Sequence, residues 1–140
     1  MTLNVGAIKK DFPIFGKPMR NNARLIYLDS GATSQKPESV IAAESDFYFK
    51  HNAAVHRGSH LLAEEASEAY EGAREIVAEF IGAPASEVIF TKSATESLNL
   101  LAYTLPIKSG EEVLVTEMEH HANLIPWQQA VKRSGASLKS

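Results

Sequence analysis

Two adjacent histidines, His120 and His121, follow Glu117 and Glu119 in the stretch EMEHHANLIPW. Histidine is the side chain that changes charge near neutral pH, and it is also the commonest metal ligand. The pair therefore admits a metal site, an acid–base role, or a helix start with no chemistry. If the backbone is extended there, neighbouring side chains point to opposite sides, and one ion cannot easily take both. Neither H-E-x-x-H nor the Cys/His spacings of zinc sites occur in the chain. At most one of the two histidines should face a pocket, and the catalytic and structural readings both remain open.

A second stretch, FTKSATESLN, places a polar turn between an expected strand end near Thr91 and an expected helix start near Thr95. The free N–H groups of a first helical turn favour an anion, by roughly 0.3–1 kcal/mol per charge. A phosphate group suits that geometry. Ser93-Ala94-Thr95-Glu96 is equally a capping box, which by itself only starts a helix. No Walker loop and no G-x-G-x-x-G fingerprint is present.

A third stretch, AAVHRGSH, carries His56 and His60 four residues apart. On a helix that spacing could serve a metal, but Gly58 between them argues for a loop. Arg57 offers a planar two-pronged donor for a carboxylate or phosphate, or is an ordinary surface arginine.

These stretches need elements to hold them. The chain has 140 residues, 44% hydrophobic and 22% charged, which is ordinary for a soluble globular protein. Its net charge of −3, with scattered lysines and arginines, gives no footprint for nucleic acid or an anionic membrane. No cysteine is present, so disulfides and thiol catalysis are excluded within these residues. No signal peptide or apolar stretch of membrane-span length is visible, and the expected compartment is the cytoplasm.

Residues 1–24 read as an N-terminal arm, broken at Asp11-Phe12-Pro13 and Lys17-Pro18. Leu25–Asp29 reads as a strand and Ser30–Pro37 as a loop. Pro37 then opens a helix whose apolar face is Val40, Ile41, Phe47 and Tyr48. Residues 51–60 read as a loop. Leu62, Ala66, Ala69, Ala73, Ile76 and Phe80 form one helical stripe, expected to face a core, opposite Glu64, Glu65, Glu68, Glu71 and Glu75. Gly82 and Pro84 stop that helix.

Glu87–Thr91 reads as a strand, followed by a helix with Leu98, Leu101 and Leu105 on one face. Val113, Leu114 and Val115 form a short run of the buried, parallel-sheet kind. NLIPWQQAVKRSGA is a helix closed by Gly135, and SLKS is a strand beginning. The order β-α-β-α-(β) predicts an α/β fold with a parallel sheet flanked by helices. Sheets commonly have about 4–6 strands, so the chain is expected to be part of a larger folding unit.

Taken together, YLDSGATSQKP, AAVHRGSHLLAEEAS, FTKSATESLNLLAY and EMEHHANLIPWQ resemble, in order and spacing, the group II (SUF-type) cysteine desulfurases. These are class V aminotransferase-like, pyridoxal-phosphate enzymes of fold type I. The resemblance runs from about Asp11 to Ser140 and implies that residues 25–140 are the first, incomplete part of the cofactor-binding domain. It implies a homodimer that takes sulfur from L-cysteine as an enzyme persulfide, releases L-alanine and feeds a sulfur-acceptor protein of iron–sulfur cluster assembly.

At matching positions the resemblance makes His120 the residue that stacks on the cofactor ring and moves protons beside it, and leaves His121 structural. It makes Ser93, Ala94 and Thr95 the phosphate-holding turn, with Ala94 standing where a hydroxyl is common. It places Gly31, Ala32, His56 and Arg57 on the substrate side, with Gly31 standing where alanine is frequent. The family's cofactor-bonding lysine lies in a Ser-x-His-Lys motif, and its persulfide forms on a cysteine; neither occurs in these residues. A selenocysteine lyase or another class V lyase or transferase is the near alternative. A non-catalytic α/β module binding a phosphorylated ligand or a partner protein is the distant one.

Overall fold

The computed structural model describes residues 3–140, so the first two residues of the arm lie outside the described ones. The chain forms two compact units, Met1–Ala85 and Ser86–Ser140.

Among its described residues the first unit contains three α-helices: α1 (Val5–Lys10), α2 (Glu38–Lys50) and α3 (Leu61–Ile81). The α1 helix was not expected within the arm. Asn4 starts it by accepting the Ala7 N–H at 3.0 Å, a side-chain cap of ordinary type. The 3-10 turns Pro13–Gly16 and Arg20–Asn22 follow. The arm is tied to α2 by the Glu38 N–H, which donates to the Asp11 carbonyl at 2.8 Å. Pro37 occupies the cap position of α2, just before its first residue.

Gly82 closes α3 at φ 71°, a left-handed conformation that glycine adopts without steric cost. The expected core stripe of α3 is corrected by the structure. Ala66 is buried, together with Ala63 and Ala78, but Ile76 is 70% and Phe80 89% exposed. The 51–60 loop covers the N-terminal part of α3, where Gly58 lies against Ala63. The apolar face expected on α2 is likewise uncovered, and no residue of that helix is buried.

The expected strand over Leu25–Asp29 does not form. An extended run becomes a strand only when a neighbour takes its backbone groups, and alternate residues gain only when one face is covered. Leu28 is 92% exposed, and the Tyr27 hydroxyl instead donates to the carbonyls of Asp29 and Thr33. The expected strand over Glu87–Thr91 does not form either. A 3-10 turn, Ala85–Glu87, takes its first residue, and Val88 is buried while Ile89 is exposed.

The second unit contains α4 (Ala94–Thr104), β1 (Glu112–Leu114), α5 (His121–Ser134) and β2 (Ser137–Lys139). The two strands pair in parallel, Glu112 with Ser137, Val113 with Leu138 and Leu114 with Lys139, and α5 is the crossover between them. This is the α/β arrangement with a parallel sheet that the sequence predicts. Gly135 closes α5 at φ 75°.

Helices α4 and α5 pack on each other, with buried Ala102 on one and Ala130 on the other. Leu101 and Leu105, expected on one face of this helix, are 46% and 48% exposed. Arg133, near the end of α5, donates to the carbonyl of Ala102, near the end of α4, at 2.8 Å. The two helices therefore run the same way. Since α4 leads into the start of β1, and α5 leaves its end, both helix N-termini lie at the C-terminal edge of the sheet.

Candidate functional site

In the second unit, Ser93 and His120 are the caps of α4 and α5. Ser93 is extended, and its Oγ accepts the Glu96 N–H at 3.3 Å. The Glu96 carboxylate reaches back to the Lys92 N–H. Thr91 and Ser97 share a hydroxyl–hydroxyl bond of 2.6 Å that closes the turn. The capping interaction consumes one first-turn donor. The N–H groups of Ala94 and Thr95 have no partner among the described residues, and Ser93, Ala94 and Thr95 are exposed. Two free amides and two hydroxyls thus face solvent at a helix start, which is a donor set for an anion.

His120 is extended at φ −62°, ψ 143°, and its Nδ1 accepts the Ala122 N–H at 3.0 Å. In a neutral imidazole, an accepting Nδ1 leaves the proton on Nε2. His120 as a residue is exposed. His121 is the first residue of α5, so the backbone turns helical straight after His120 and strand alternation does not separate the two rings. Their centroids are 6.4 Å apart and tilted by 56°. Among the described residues no cluster of histidine, cysteine, aspartate or glutamate could hold a metal ion.

The helix starts before the NLIPW segment, so Pro126 lies inside it and is buried. Pro126 has no N–H to give to the carbonyl one turn earlier. Side chains along the same stretch are linked in a row. Trp127 Nε1–H donates to Asn123 Oδ1 at 2.9 Å, and Asn123 Nδ2–H donates to Glu119 Oε2 at 2.8 Å. The Thr116 hydroxyl donates to the other oxygen, Glu119 Oε1, at 3.0 Å. The Asn123 and Thr116 hydrogen bonds hold the Glu119 carboxyl below its usual value. These four residues brace the turn that presents His120. Sequence reasoning missed them, although the spacing of 119, 123 and 127 is that of one helix face.

In the first unit, the 51–60 loop is folded back on α3. His51 Nδ1 lies 2.8 Å from Glu65 Oε2. His56 donates its backbone N–H to Ser67 Oγ at 2.9 Å, and its ring Nε2 lies 2.9 Å from Glu71 Oε1. Arg74 Nε–H donates to the other Glu71 oxygen at 3.0 Å. His56 first and Arg74 second hold the Glu71 carboxyl below its usual value. His56 has φ 57°, in the left-handed region that non-glycine residues seldom adopt. Gly58 is required by close approach, since a Cβ there would stand 2.7 Å from the Ala63 Cβ.

The glutamate face of α3 is therefore the anchor for two loop histidines. His60 caps α3, with its Nδ1 accepting the Ala63 N–H at 3.4 Å. Arg57 is exposed between these anchors, its N–H on the Ala54 carbonyl at 3.3 Å. Gly31 and Ala32 lie in a turn where the Ala32 and Thr33 N–H groups both donate to the Asp29 carbonyl. Gly31, Ala32, His56 and Arg57 belong to the first unit; Ser93, Ala94, Thr95 and His120 belong to the second.

The profile of the aminotransferase class-V family matches residues 26–140. A probable cysteine desulfurase from Streptomyces coelicolor is 52% identical over 98% of this chain and 35% of its own length. Probable cysteine desulfurase 2 from Mycobacterium leprae is 51% identical over the same shares. Among solved structures, the apo cysteine desulfurase from Thermococcus onnurineus is similar at a TM-score of 0.86 and 39% identity, over 99% of this chain and 34% of that one. The chain spans about a third of the length of the relatives it matches.

Proposed function

Because the chain belongs to the aminotransferase class-V family, we propose that it forms the cofactor-holding N-terminal part of a pyridoxal-phosphate cysteine desulfurase. The observation that carries this reading is the end of the second unit. There the α4 start leaves two amides free, and the α5 start presents an imidazole whose Nδ1 is already occupied. This donor set fits the cofactor. The amides of Ala94 and Thr95, with the hydroxyls of Ser93 and Thr95, would hold its phosphate, and the His120 ring would cover its pyridine. The bound cofactor supplies an electron sink for a carbanion at the substrate Cα.

The chain's own residues then have separable tasks. The α4 start binds and orients through a fixed anion cradle. His120 keeps Nε2–H as its mobile proton, because Nδ1 serves the helix. Gly31 and Ala32 leave room for the substrate, and Arg57 offers a planar donor to its carboxylate. L-cysteine as substrate, a homodimer, a sulfur-acceptor protein of iron–sulfur assembly and a cytoplasmic location complete the proposal. Among the described residues no helix is long and apolar enough to cross a membrane.

The test is a titration of the chain with pyridoxal phosphate, followed by absorbance and competed with inorganic phosphate. Binding that phosphate displaces, and that His120→Asn weakens, is the expected result. Binding blind to both, or a specific stoichiometric lysine adduct after borohydride reduction, would sink the reading. In the full-length protein that carries this chain, L-cysteine should yield L-alanine.

A further inference from the structure

We propose that Glu71 is a positioning residue for His56, holding the ring by its Nε2–H so that Nδ1 is the nitrogen presented to a substrate. This rests on the assignment of His56 to the substrate side of the class-V site. An exposed histidine–glutamate pair on its own would carry little weight. Here the pair is over-determined. Glu71 Oε1 takes the His56 ring at 2.9 Å, while Glu71 Oε2 is held by Arg74 Nε–H at 3.0 Å. The Arg74 guanidinium lies over the Tyr70 ring at 5.1 Å, and Tyr70 meets the His56 ring edge-on at 6.1 Å and 90°.

The backbone is fixed as well. The Ser67 hydroxyl donates to the Ala63 carbonyl at 2.7 Å, which leaves its oxygen to accept the His56 N–H. His56 is kept at φ 57°, a conformation that persists only where surroundings impose it. Such strain concentrates at ligand clamps and active sites. The His56 side chain is 56% exposed, and Nδ1 has no partner among the described residues. An Nδ1 lone pair on a neutral ring accepts a proton-bearing group such as a thiol or an ammonium. A carboxylate behind a histidine that fixes its tautomer is a recurrent second layer of functional sites.

The experiment has two arms. In the chain labelled with nitrogen-15 at histidine, long-range proton–nitrogen correlation reads the His56 tautomer at mildly alkaline pH. The wild type should show a single Nε2–H form with a slowly exchanging ring proton. In Glu71→Gln, Arg74 Nε–H claims the amide oxygen, the amide NH2 turns to His56, and the tautomer should reverse to Nδ1–H. In Glu71→Ala the ring proton should exchange too fast to see. Ser67→Ala, which leaves the ring contact alone, should keep the tautomer. Unchanged His56 signals in both Glu71 variants overturn the proposal.

In the full-length enzyme, Glu71→Gln should lower kcat/KM for L-cysteine roughly 10- to 100-fold. Glu71→Asp should recover part of the loss, and adding Glu71→Gln to His56→Ala should cost nothing further. A tautomer effect without any effect of either residue on turnover overturns the substrate-side assignment, and the proposal with it. Slow turnover in His56→Ala with no tautomer effect overturns the role of Glu71 alone and leaves the functional reading standing.

Discussion

Arg133 joins the ends of two helices: its guanidinium donates to the Ala102 carbonyl at 2.8 Å and lies 4.3 Å from the centre of the Tyr103 ring. Ala102 is in the last turn of α4, where carbonyls lack partners within their own helix. Arg133 therefore caps α4 from the neighbouring helix, and it fixes the common direction that brings both helix starts to one edge of the sheet.

Arg133→Ala removes a charged hydrogen bond worth about 1.5–3 kcal/mol and a cation–π contact worth about 0.5–1 kcal/mol at an exposed site. Denaturant unfolding should show a loss toward the lower end of the sum. Arg133→Lys keeps the charge but not the flat stack, and should fall between.

Gly58 and Gly31 should respond oppositely to alanine. A Cβ at Gly58 meets the Ala63 Cβ at 2.7 Å, whereas one at Gly31 meets nothing within 4 Å. Gly58→Ala should destabilise by about 1–3 kcal/mol, the usual cost of overpacking. Gly31→Ala should leave the thermal midpoint unchanged, as measured by circular dichroism.

His120→Asn separates two duties of one side chain. Asparagine is a good N-cap, so α5 and the unfolding midpoint should be preserved, while the ring is lost. Pyridoxal-phosphate binding should weaken. His120→Ala should lose both, with a stability cost of about 0.5–2 kcal/mol from the missing cap. His121→Ala should lose neither, because alanine suits a first helical turn.

Acid should loosen both braced turns. Glu71 and Glu119 are held below the usual carboxylate value of 4.5 by hydrogen bonds that exist only in the folded chain. Each adds stability that is present above that value and is lost as pH falls through its lower, folded one. The free energy of unfolding, followed from neutral to acid pH, should therefore decline below about pH 4.5. Glu71→Gln with Glu119→Gln should flatten that decline.

What was legible in the sequence was local. The run Val113–Val115, the Gly135 stop and the SLKS segment are enough to place β1, α5 and β2, and those elements pair as expected. Leu25–Asp29 and Glu87–Thr91 carried the same kind of signal but form no strand, because a strand depends on a neighbour that no local pattern specifies. The glutamates of α3 were legible as a polar face. Their pairing with His51 and His56 was not, since the fold-back of the 51–60 loop decides it. The turn at Ser93 was legible both as a cap and as an anion cradle, and the structure shows that the cap leaves donors over. The Nδ1 cap of His120 was hidden, because serine, threonine, aspartate and asparagine are the usual signals for that position.

The occupied Nδ1 of His120 ties a chemical group to a thermal one. Helix ends open locally at far lower free energy than the whole fold. When the first turn of α5 frays, the Ala122 amide leaves the ring, and the imidazole loses its fixed tautomer and its orientation together. Warming should then release the imidazole before the rest of the unit melts, and its ring signals should change ahead of denaturation.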